Sequence, residues 1–386
     1  MHADVAVGSC LSGGVDSSSI VCVINRLLHQ HGLDATQIGA RQKTFSAVYE
    51  SDGRYNERKY IESVLQAVSA EGHMVIPTAE RLVNDLEQLV WHQDEPFQST
   101  SIFAQWCVMS LAHEHGVKVI LDGQGADELL GGYRPYLYHL ADVFRSKHPH
   151  RFVRELTLTY VRGNEPLRAL AKQLIKSIIA HTSPHTYHAL QKFRQTKAKQ
   201  ALAKDFIATS RHEDSPVQYH SNLDDLLRNA LVENSLPNLL RYEDRNSMAF
   251  SIEARVPFLD HRLVEFVLQY SPHLRLYDGW TKWLHRQAMT GIVPSSIAWR
   301  RDKVGFETPE TTWQRHLLDK RSDLFDRTAY SRSYLDLSVV QNRIAQWMEY
   351  GGDTRLIWRW ISLEAWLRVW HRVTSISYRD SITPTG

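Results

Sequence analysis

Short apolar runs alternate with stretches of helical periodicity through residues 1–140. The runs predict buried strands over 5–11, 44–49, 73–76 and 117–121. Between them, apolar side chains recur on one helix face, which predicts helices over 20–28, 57–68, 79–91 and 102–115. This alternation is typical of an α/β fold, in which a parallel twisted sheet carries helices on both faces. Ligands of such sheets bind at the carboxyl ends of the strands.

The pattern becomes mainly helical from about residue 141 to the C-terminal part of the chain. Residues 141–204 carry 13 Lys and Arg against 3 Asp and Glu. Such a patch can bind nucleic acid or a partner, but no basic-aromatic module accompanies it, so we interpret it as a solvated helical excursion. A polar stretch over 211–221 predicts a linker. Five tryptophans predict an aromatic core in the last third: Trp347, Trp358, Trp360, Trp366 and Trp370.

The composition is that of an ordinary globular protein. The chain has 386 residues, 43% of them hydrophobic, and a net charge of +2, which gives no general attraction to nucleic acid or membranes. Its three cysteines are too few for a disulfide scaffold. No apolar run approaches the ~18 residues of a membrane span, and no signal peptide is expected. These features favour a cytoplasmic protein.

The turn after the first predicted strand carries the clearest chemical signal. It precedes a predicted helix and consists of Ser12, Gly13, Gly14, Val15, Asp16 and Ser17. Glycine N–H groups at a helix N-terminus form a phosphate site, because no side chain blocks the approach and the helix dipole favours an anion. An aspartate beside phosphates needs a cation between them, which predicts Mg²⁺ at Asp16. No G-x-x-x-x-G-K-S/T motif occurs in the chain, so a Walker-type site is excluded.

Three further segments extend this signal. They are Asp-Gly-Gln-Gly-Ala-Asp-Glu-Leu-Leu-Gly-Gly-Tyr at 122–133, the stretch 241–262 that ends in Arg-Val-Pro-Phe-Leu-Asp-His-Arg, and Arg-Asp-Lys-Val-Gly-Phe at 301–306. The turn at 11–18 resembles the pyrophosphate (PP) loop of the N-type ATP pyrophosphatases. All four segments together resemble the synthetase half of the asparagine synthetase B (glutamine-hydrolysing) family. The resemblance spans nearly the whole chain and is weakest over 141–204.

The resemblance implies an adenine-nucleotide alpha-hydrolase-like fold, a PP-loop ATPase that uses ATP and Mg²⁺. Both Asp16 and Asp127 would hold the metal, since their loops leave the carboxyl edge of the sheet. Lys303, Asp127 and Arg255 would be the catalytic group, with Lys303 stabilising charge on the phosphate oxygens. The nucleotide would contact Leu11, Ser12, Gly13, Gly14, Asp16, Ser17, Ala47, Asp122 and Gly123.

The same resemblance implies a domain organisation and an activity. Residues 1–140 would form the PP-loop core, 141–215 a basic helical insertion and linker, and 216–386 a helical part that completes the site of one synthetase-type domain. The activity would be asparagine synthesis from aspartate and ammonia. The side-chain carboxylate of aspartate attacks the α-phosphate of ATP, pyrophosphate leaves, and ammonia attacks the β-aspartyl adenylate.

Two departures from the family bear on the nitrogen source. Gln124 stands where the family often has a proton-handling glutamate, and a neutral amide cannot act as a base. The family begins with a glutaminase domain, whereas the first predicted strand here starts within five residues of Met1. We therefore expect free ammonia, a separate glutaminase partner, or a truncated chain.

Two alternative functions stay open at this point. One is a related amide ligase or cyclase, similar to a β-lactam synthetase or a lasso-peptide cyclase, that acts on another carboxylate. Gln124 and the basic region favour it, and the close match over 241–262 does not. The other is a non-catalytic nucleotide-binding subunit, against which the intact Asp16, Asp127 and Lys303 argue.

Overall fold

The computed structural model describes residues 4–31, 41–50, 55–68, 70–132, 136–146, 148–162, 201–209, 222–301 and 305–380, with a few single positions between 171 and 183. The strands are β1 (Val7–Cys10), β2 (Lys43–Ala47), β3 (Glu71–Val75), β4 (Val119–Leu121) and β5 (Glu253–Arg255). The first helices are α1 (Val15–His31), α2 (Arg58–Val68), α3 (Ala79–Gln93), α4 (Ser101–Glu114), α5 (Ala126–Leu130), α6 (Tyr136–Arg145) and α7 (Pro149–Arg162). Further along lie α8 (Lys204–Thr209), α9 (Leu223–Asn229), α10 (Leu236–Met248), α11 (His261–Leu268), α12 (Trp283–Ala288), α13 (Ser295–Ala298), α14 (Glu310–Lys320), α15 (Leu337–Tyr350) and α16 (Thr354–Asp380).

The five strands form one sheet in the order β3-β2-β1-β4-β5, and every neighbouring pair is parallel. The strand order reverses between β1 and β4. At such a switch point the loops that leave two adjacent strands diverge, and a crevice for a ligand opens at their carboxyl ends. The two glycine-bearing loops of the sequence follow β1 and β4, so both lie at this crevice.

Helices cover both faces of the sheet, as the alternation along β4 demonstrates. Val119 and Leu121 point to one face and join a buried cluster with Ile20 of α1. Ile120 points to the other face and packs with Met109 of α4. Successive strand residues face opposite sides, so burial of all three requires cover on both. The predicted α/β class is confirmed.

The predicted strands and helices of the first half match the observed ones to within a few residues at their ends. In the later, mainly helical part of the chain, the hydrophobic pattern missed β5. Its residues Glu253, Ala254 and Arg255 contain no apolar run, and the strand exists because it pairs with β4, from Val119–Glu253 to Leu121–Arg255.

Two compact units make up the chain. The first contains the sheet and comprises Met1–Val75, Val108–Gln191 and Val217–Gly305, and the second comprises Ile76–Cys107, Lys192–Pro216 and Phe306–Gly386. In the second unit Trp347, Trp358 and Trp360 are buried, as expected of an aromatic core, whereas Trp370 is half exposed. The division at 140 and 215 stays a prediction. No helix among the described residues is long and apolar enough to cross a membrane.

Candidate functional site

The loop between β1 and α1 is held by hydrogen bonds among its own residues. Ser17 Oγ accepts a bond from the Ser12 N–H (3.1 Å), lies 3.1 Å from Ser12 Oγ, and donates to the Gly14 carbonyl (3.4 Å). The N–H of Ser18 donates to the same carbonyl at 3.1 Å and begins α1. Gly13 has a φ of 69°, a left-handed conformation that favours glycine. The loop therefore presents a fixed backbone at a helix N-terminus, as phosphate binding requires.

Leu11 and Ala47 lie beside this loop, but the Leu11 backbone is already bonded within the sheet. Its N–H donates to the Phe45 carbonyl at 2.9 Å, and its carbonyl accepts from Ser46 Oγ at 2.6 Å. Ala47 is the last residue of β2 and is half-buried. Contact of either backbone with adenine stays a prediction.

Arg300, which the sequence did not single out, braces the loop from the far end of the chain. Its guanidinium donates to the Gly13 carbonyl at 3.1 Å, pairs with Glu57 at 2.7 Å, and lies 3.5 Å from the ring centroid of Tyr60. The Arg300 side chain is only 5% exposed. A glycine loop would otherwise move freely, so this buried cation fixes the direction of one loop carbonyl.

The two carboxylates predicted to hold a metal meet at one lysine. Lys282 Nζ contacts Asp16 Oδ2 directly and lies 2.6 Å from Asp127 Oδ1. Asp16 is in the first turn of α1 and Asp127 in the first turn of α5, so each follows one of the two loops at the switch point. Lys282 precedes α12 with a φ of 54°, and its side chain is 8% exposed. The structure thus brings Asp16 and Asp127 together and adds a cation that sequence reasoning missed.

Charge interactions keep this cluster ionised. Burial alone would raise the pKa of Asp16, but Lys282 and His285 lower it below its ordinary value. Burial alone would lower the pKa of Lys282, and the two aspartates raise it. The cluster therefore consists of two carboxylates and one ammonium, which leaves a net negative charge for a further cation.

The donor set fits a divalent cation that brings most of its own ligands. Asp16 Oδ1 is buried without a hydrogen-bond partner among the described residues, and His285 Nε2 lies 3.8 Å from it. No group of three or more His, Cys, Asp or Glu side chains in the described part of the chain could hold a metal by itself. Mg²⁺ commonly uses one or two carboxylates, with waters and phosphate oxygens completing its shell.

Two glycines allow the loops to approach each other. A Cβ on Gly123 would lie 3.2 Å from the Ser17 nitrogen and 3.3 Å from Asp16 Cβ. A Cβ on Gly132 would overlap Asp127 Oδ1 and Lys282 Cε. The loop after β4 therefore packs backbone-first against the loop after β1, and Gly132 leaves the space in which the Asp127–Lys282 ion pair forms.

Asp122, predicted to lie on the nucleotide, is half-buried and lies beside the buried Glu243. Burial raises the pKa of Glu243 well above its ordinary value, and the neighbouring carboxylate of Asp122 raises it further. Burial, followed by the nearby Asp122 and Glu243, raises the pKa of the Cys10 thiol well above its ordinary value. Burial beside a second carboxyl group therefore favours the protonated form of Glu243. The sequence carries no local signal for this pair, since the two residues come from different motifs.

Arg255 and Lys303 are not placed at the Asp16–Lys282–Asp127 cluster by any described contact. Arg255 ends the edge strand β5, where its Nε pairs with Glu253 Oε1 at 2.7 Å and both side chains are largely exposed. Its predicted catalytic contribution stays a prediction. Lys303 lies outside the described residues, so its contribution stays a prediction too.

Comparison with known proteins gives a family match and several relatives. The asparagine synthase family matches residues 1–368. The chain is similar to glutamine-hydrolyzing asparagine synthetase 1 of Bacillus subtilis (strain 168), with 28% identity over 377 residues that cover 95% of this chain and 56% of the relative. It is also similar to glutamine-hydrolyzing asparagine synthetase 3 of the same strain, with 28% identity over 312 residues, 77% of this chain and 44% of the relative.

A differently named relative is amidase chyE of Penicillium rubens (strain ATCC 28089 / DSM 1075 / NRRL 1951 / Wisconsin 54-1255). It is 25% identical over 349 residues, which cover 81% of this chain and 51% of the relative. The chain spans about half the length of the curated relatives it matches.

Proposed function

Because the chain belongs to the asparagine synthase family, an ATP-using family, we propose that it is an ATP-dependent carbon–nitrogen ligase that makes asparagine. The side-chain carboxylate of aspartate would be adenylated and then amidated by ammonia. The observation that carries the proposal is the meeting of Asp16, Asp127 and Lys282 beside a glycine loop at the switch point of the sheet. That arrangement suits a polyphosphate and its metal.

The first step forms a bond from a carboxylate oxygen of aspartate to the α-phosphorus of ATP and breaks the α–β phosphoanhydride, so pyrophosphate leaves. The loop N–H groups at the start of α1 bind the phosphates, and the carboxylates of Asp16 and Asp127 would hold Mg²⁺. When bound, Mg²⁺ neutralises charge on the pyrophosphate. The ammonium of Lys303 stabilises charge on the non-bridging oxygens of the α-phosphate.

In the second step the nitrogen of ammonia attacks the acyl carbon, and AMP leaves with the electrons of the C–O bond. The nitrogen must lose a proton as asparagine forms. Gln124 cannot accept it, so we assign the proton to water or to the departing AMP. Ammonia would arrive free or from a glutaminase domain or partner.

A second candidate is an amide ligase or cyclase that acts on a carboxylate other than aspartate. Two observations favour it: Gln124, and the similarity to a protein named an amidase. The same Asp16–Lys282–Asp127 cluster would serve, because adenylation needs the same ATP chemistry whatever the carboxylate. A non-catalytic nucleotide-binding subunit is the third candidate.

One assay separates the three. Pyrophosphate release is measured on the purified chain with Mg·ATP, ammonium and a panel of carboxylates, with the Asp127→Asn variant as a matched control. Aspartate-dependent release that D127N loses supports asparagine synthesis, once asparagine itself is detected in the mixture. Release only with another carboxylate supports the second candidate. Nucleotide binding with no release under any condition supports the third.

A further inference from the structure

Lys282 occupies the space between the two carboxylates on which a metal–nucleotide complex depends. We propose that Lys282 is a built-in counter-cation, which keeps divalent cations off Asp16 and Asp127 until the phosphates of the nucleotide bind its ammonium. The inference rests on the proposed function in one respect, since its natural ligand is a divalent cation carried by a nucleoside triphosphate.

The contacts of Lys282 show which carboxylate oxygens its ammonium occupies. Its ammonium contacts one oxygen of Asp16 and one of Asp127, and the side chain is 8% exposed. These two contacts are its only side-chain hydrogen bonds or ion pairs among the described residues. Asp16 Oδ1 has no hydrogen-bond partner among the described residues, but a metal that bridges the two loops through Asp16 Oδ2 and Asp127 Oδ1 would use the oxygens that face the ammonium.

The Lys282 ammonium and a divalent cation repel each other. A divalent cation that binds those oxygens comes within a few ångströms of the ammonium. The Lys282 side chain is buried while Asp127 is 37% exposed, so solvent and salt screen the repulsion only in part. The cation and the ammonium therefore compete for the same carboxylates. A metal that arrives alone and bridges the two loops through these oxygens must displace Lys282.

Because the Lys282 ammonium is buried, it can leave the carboxylates only if an anion takes their place. The Lys282 side chain packs over Gly132, and its backbone is fixed at the start of α12. An ammonium displaced within this site without a new partner would be a buried unpaired charge, which is strongly unfavourable. The glycine loop beside it is the predicted phosphate site, and a phosphate there gives the ammonium its new partner. Metal and nucleotide consequently bind as one ligand, with each raising the affinity for the other.

A simpler reading is that Lys282 only ties α1, α5 and α12 together. On either interpretation, loss of the ammonium should weaken the fold. The two interpretations differ in the expected affinity for a metal without nucleotide, because a purely structural lysine does not compete with a cation. Removal of the charge should therefore raise the affinity for a divalent cation in the nucleotide-free protein only if Lys282 acts as the counter-cation.

The experiment measures Mn²⁺ binding to the full chain by the electron paramagnetic resonance signal of the free ion. Wild type and Lys282→Met are titrated alone and with α,β-methylene-ATP, which cannot be cleaved between its α and β phosphates. Without nucleotide, K282M should bind Mn²⁺ at least about tenfold more tightly than wild type, and wild type should gain about tenfold on addition of the analogue. Lys320→Met, at an exposed lysine on α14, should behave like wild type. The double variant with Asp127→Asn and K282M should lose the tighter nucleotide-free Mn²⁺ binding of K282M.

The outcome that overturns the proposal is equal Mn²⁺ affinity of K282M and wild type without nucleotide, with circular dichroism showing both to be folded. If K282M does not fold, the Mn²⁺ titrations of the wild-type chain and of Asp127→Asn alone test the proposal. The proposal is overturned if wild type binds Mn²⁺ as tightly without nucleotide as with the analogue and Asp127→Asn abolishes that binding. Failure of the proposed function would show differently, as no pyrophosphate release with aspartate, and the titrations use neither aspartate nor turnover.

Discussion

Arg300 donates a hydrogen bond to the carbonyl of Gly13 at 3.1 Å, although 287 positions separate the two residues. The contact fixes a loop whose glycines give it no stiffness of its own. It also connects the loop to the segment that leads directly to Lys303. The last third of the chain therefore helps to fix the shape of a predicted phosphate site whose sequence motif lies entirely near residue 13.

Replacement of Arg300 should impair ATP binding more than catalysis. Arg300→Lys keeps a charge for Glu57 but cannot reproduce the forked contact with both Glu57 and the Gly13 carbonyl. We expect the KM for ATP to rise about tenfold, with kcat changed by less than about threefold. Steady-state kinetics of pyrophosphate release tests this, with the exposed Arg228→Lys as control. A fall in kcat at unchanged KM would contradict it.

Gly132→Ala should disrupt the Asp127–Lys282 pair. The new methyl group would overlap Asp127 Oδ1 and Lys282 Cε, so both side chains must move. We expect loss of nearly all pyrophosphate release, while the fold persists because the overlap is with the ends of flexible side chains. The control is Gly116→Ala, which has a φ of 72° but no neighbour within 4 Å. It should cost about 1 kcal/mol of stability and leave the activity intact. Activity of G132A near that of G116A would refute this account.

Lys303→Ala should abolish synthesis while nucleotide binding persists. An ammonium that acts on developing charge contributes to the transition state and not to the ground state, so the rate should fall at least about 100-fold. The dissociation constant of α,β-methylene-ATP, measured by calorimetry, should change by less than about threefold. Lys320→Ala provides the control. Asparagine formation by K303A at the normal rate would remove Lys303 from the site.

The thiols should be unreactive in the folded chain. Burial raises the pKa of Cys22 to about 11 and that of Cys107 to about 12, and it raises the pKa of Cys10 as well. Because the thiolate is the reactive form and a raised pKa keeps the thiol protonated, reaction with a disulfide reagent at pH 8 should be at least about tenfold slower in the folded chain than in the urea-unfolded chain. An ordinary thiol is partly ionised at that pH, so the unfolded chain reacts faster. Equal rates for folded and unfolded chains would show that these sites are open.

Arg368→Met should destabilise the second unit. Arg368 Nε donates to the buried Glu364 at 2.6 Å, and Glu364 in turn accepts the Ser331 N–H at 2.8 Å. Without the guanidinium, Glu364 stays buried beside an apolar side chain, which should cost about 2 kcal/mol in urea unfolding. Arg372→Met, one turn later on α16, breaks an exposed pair with Glu87 and should cost less than about 1 kcal/mol. Equal effects would mean that burial at Glu364 does not matter.

Local signals explain what the sequence could predict. Apolar runs define β1 to β4, and the glycines after β1 and β4 indicate loops at a ligand crevice. Residues paired over long sequence separations have no such signal. Lys282 precedes a short helix and looks like any surface lysine, yet it closes on Asp16 across 266 positions. Only the finished packing identifies it.

Short-range geometry explains the ion pair that the Arg255 side chain makes, while its catalytic contribution stays a prediction. Arg255 lies in the longest family segment, but residues two apart on a strand project from the same face, so its guanidinium reaches Glu253. The hydrophobic pattern missed β5 itself because the side chains of this strand are polar or small. The backbone hydrogen bonds with β4 define the strand.

The late position of β5 has a consequence during translation. Residues up to 121 can assemble β1 to β4, but the open edge of β4 stays without its neighbour until residues 253–255 leave the ribosome. At ordinary elongation rates of about 5–20 residues per second, this interval lasts on the order of ten seconds. An unpaired edge is a template for pairing with other chains. A nascent chain stalled near residue 200 should therefore bind chaperones and aggregate more readily than one stalled after residue 301.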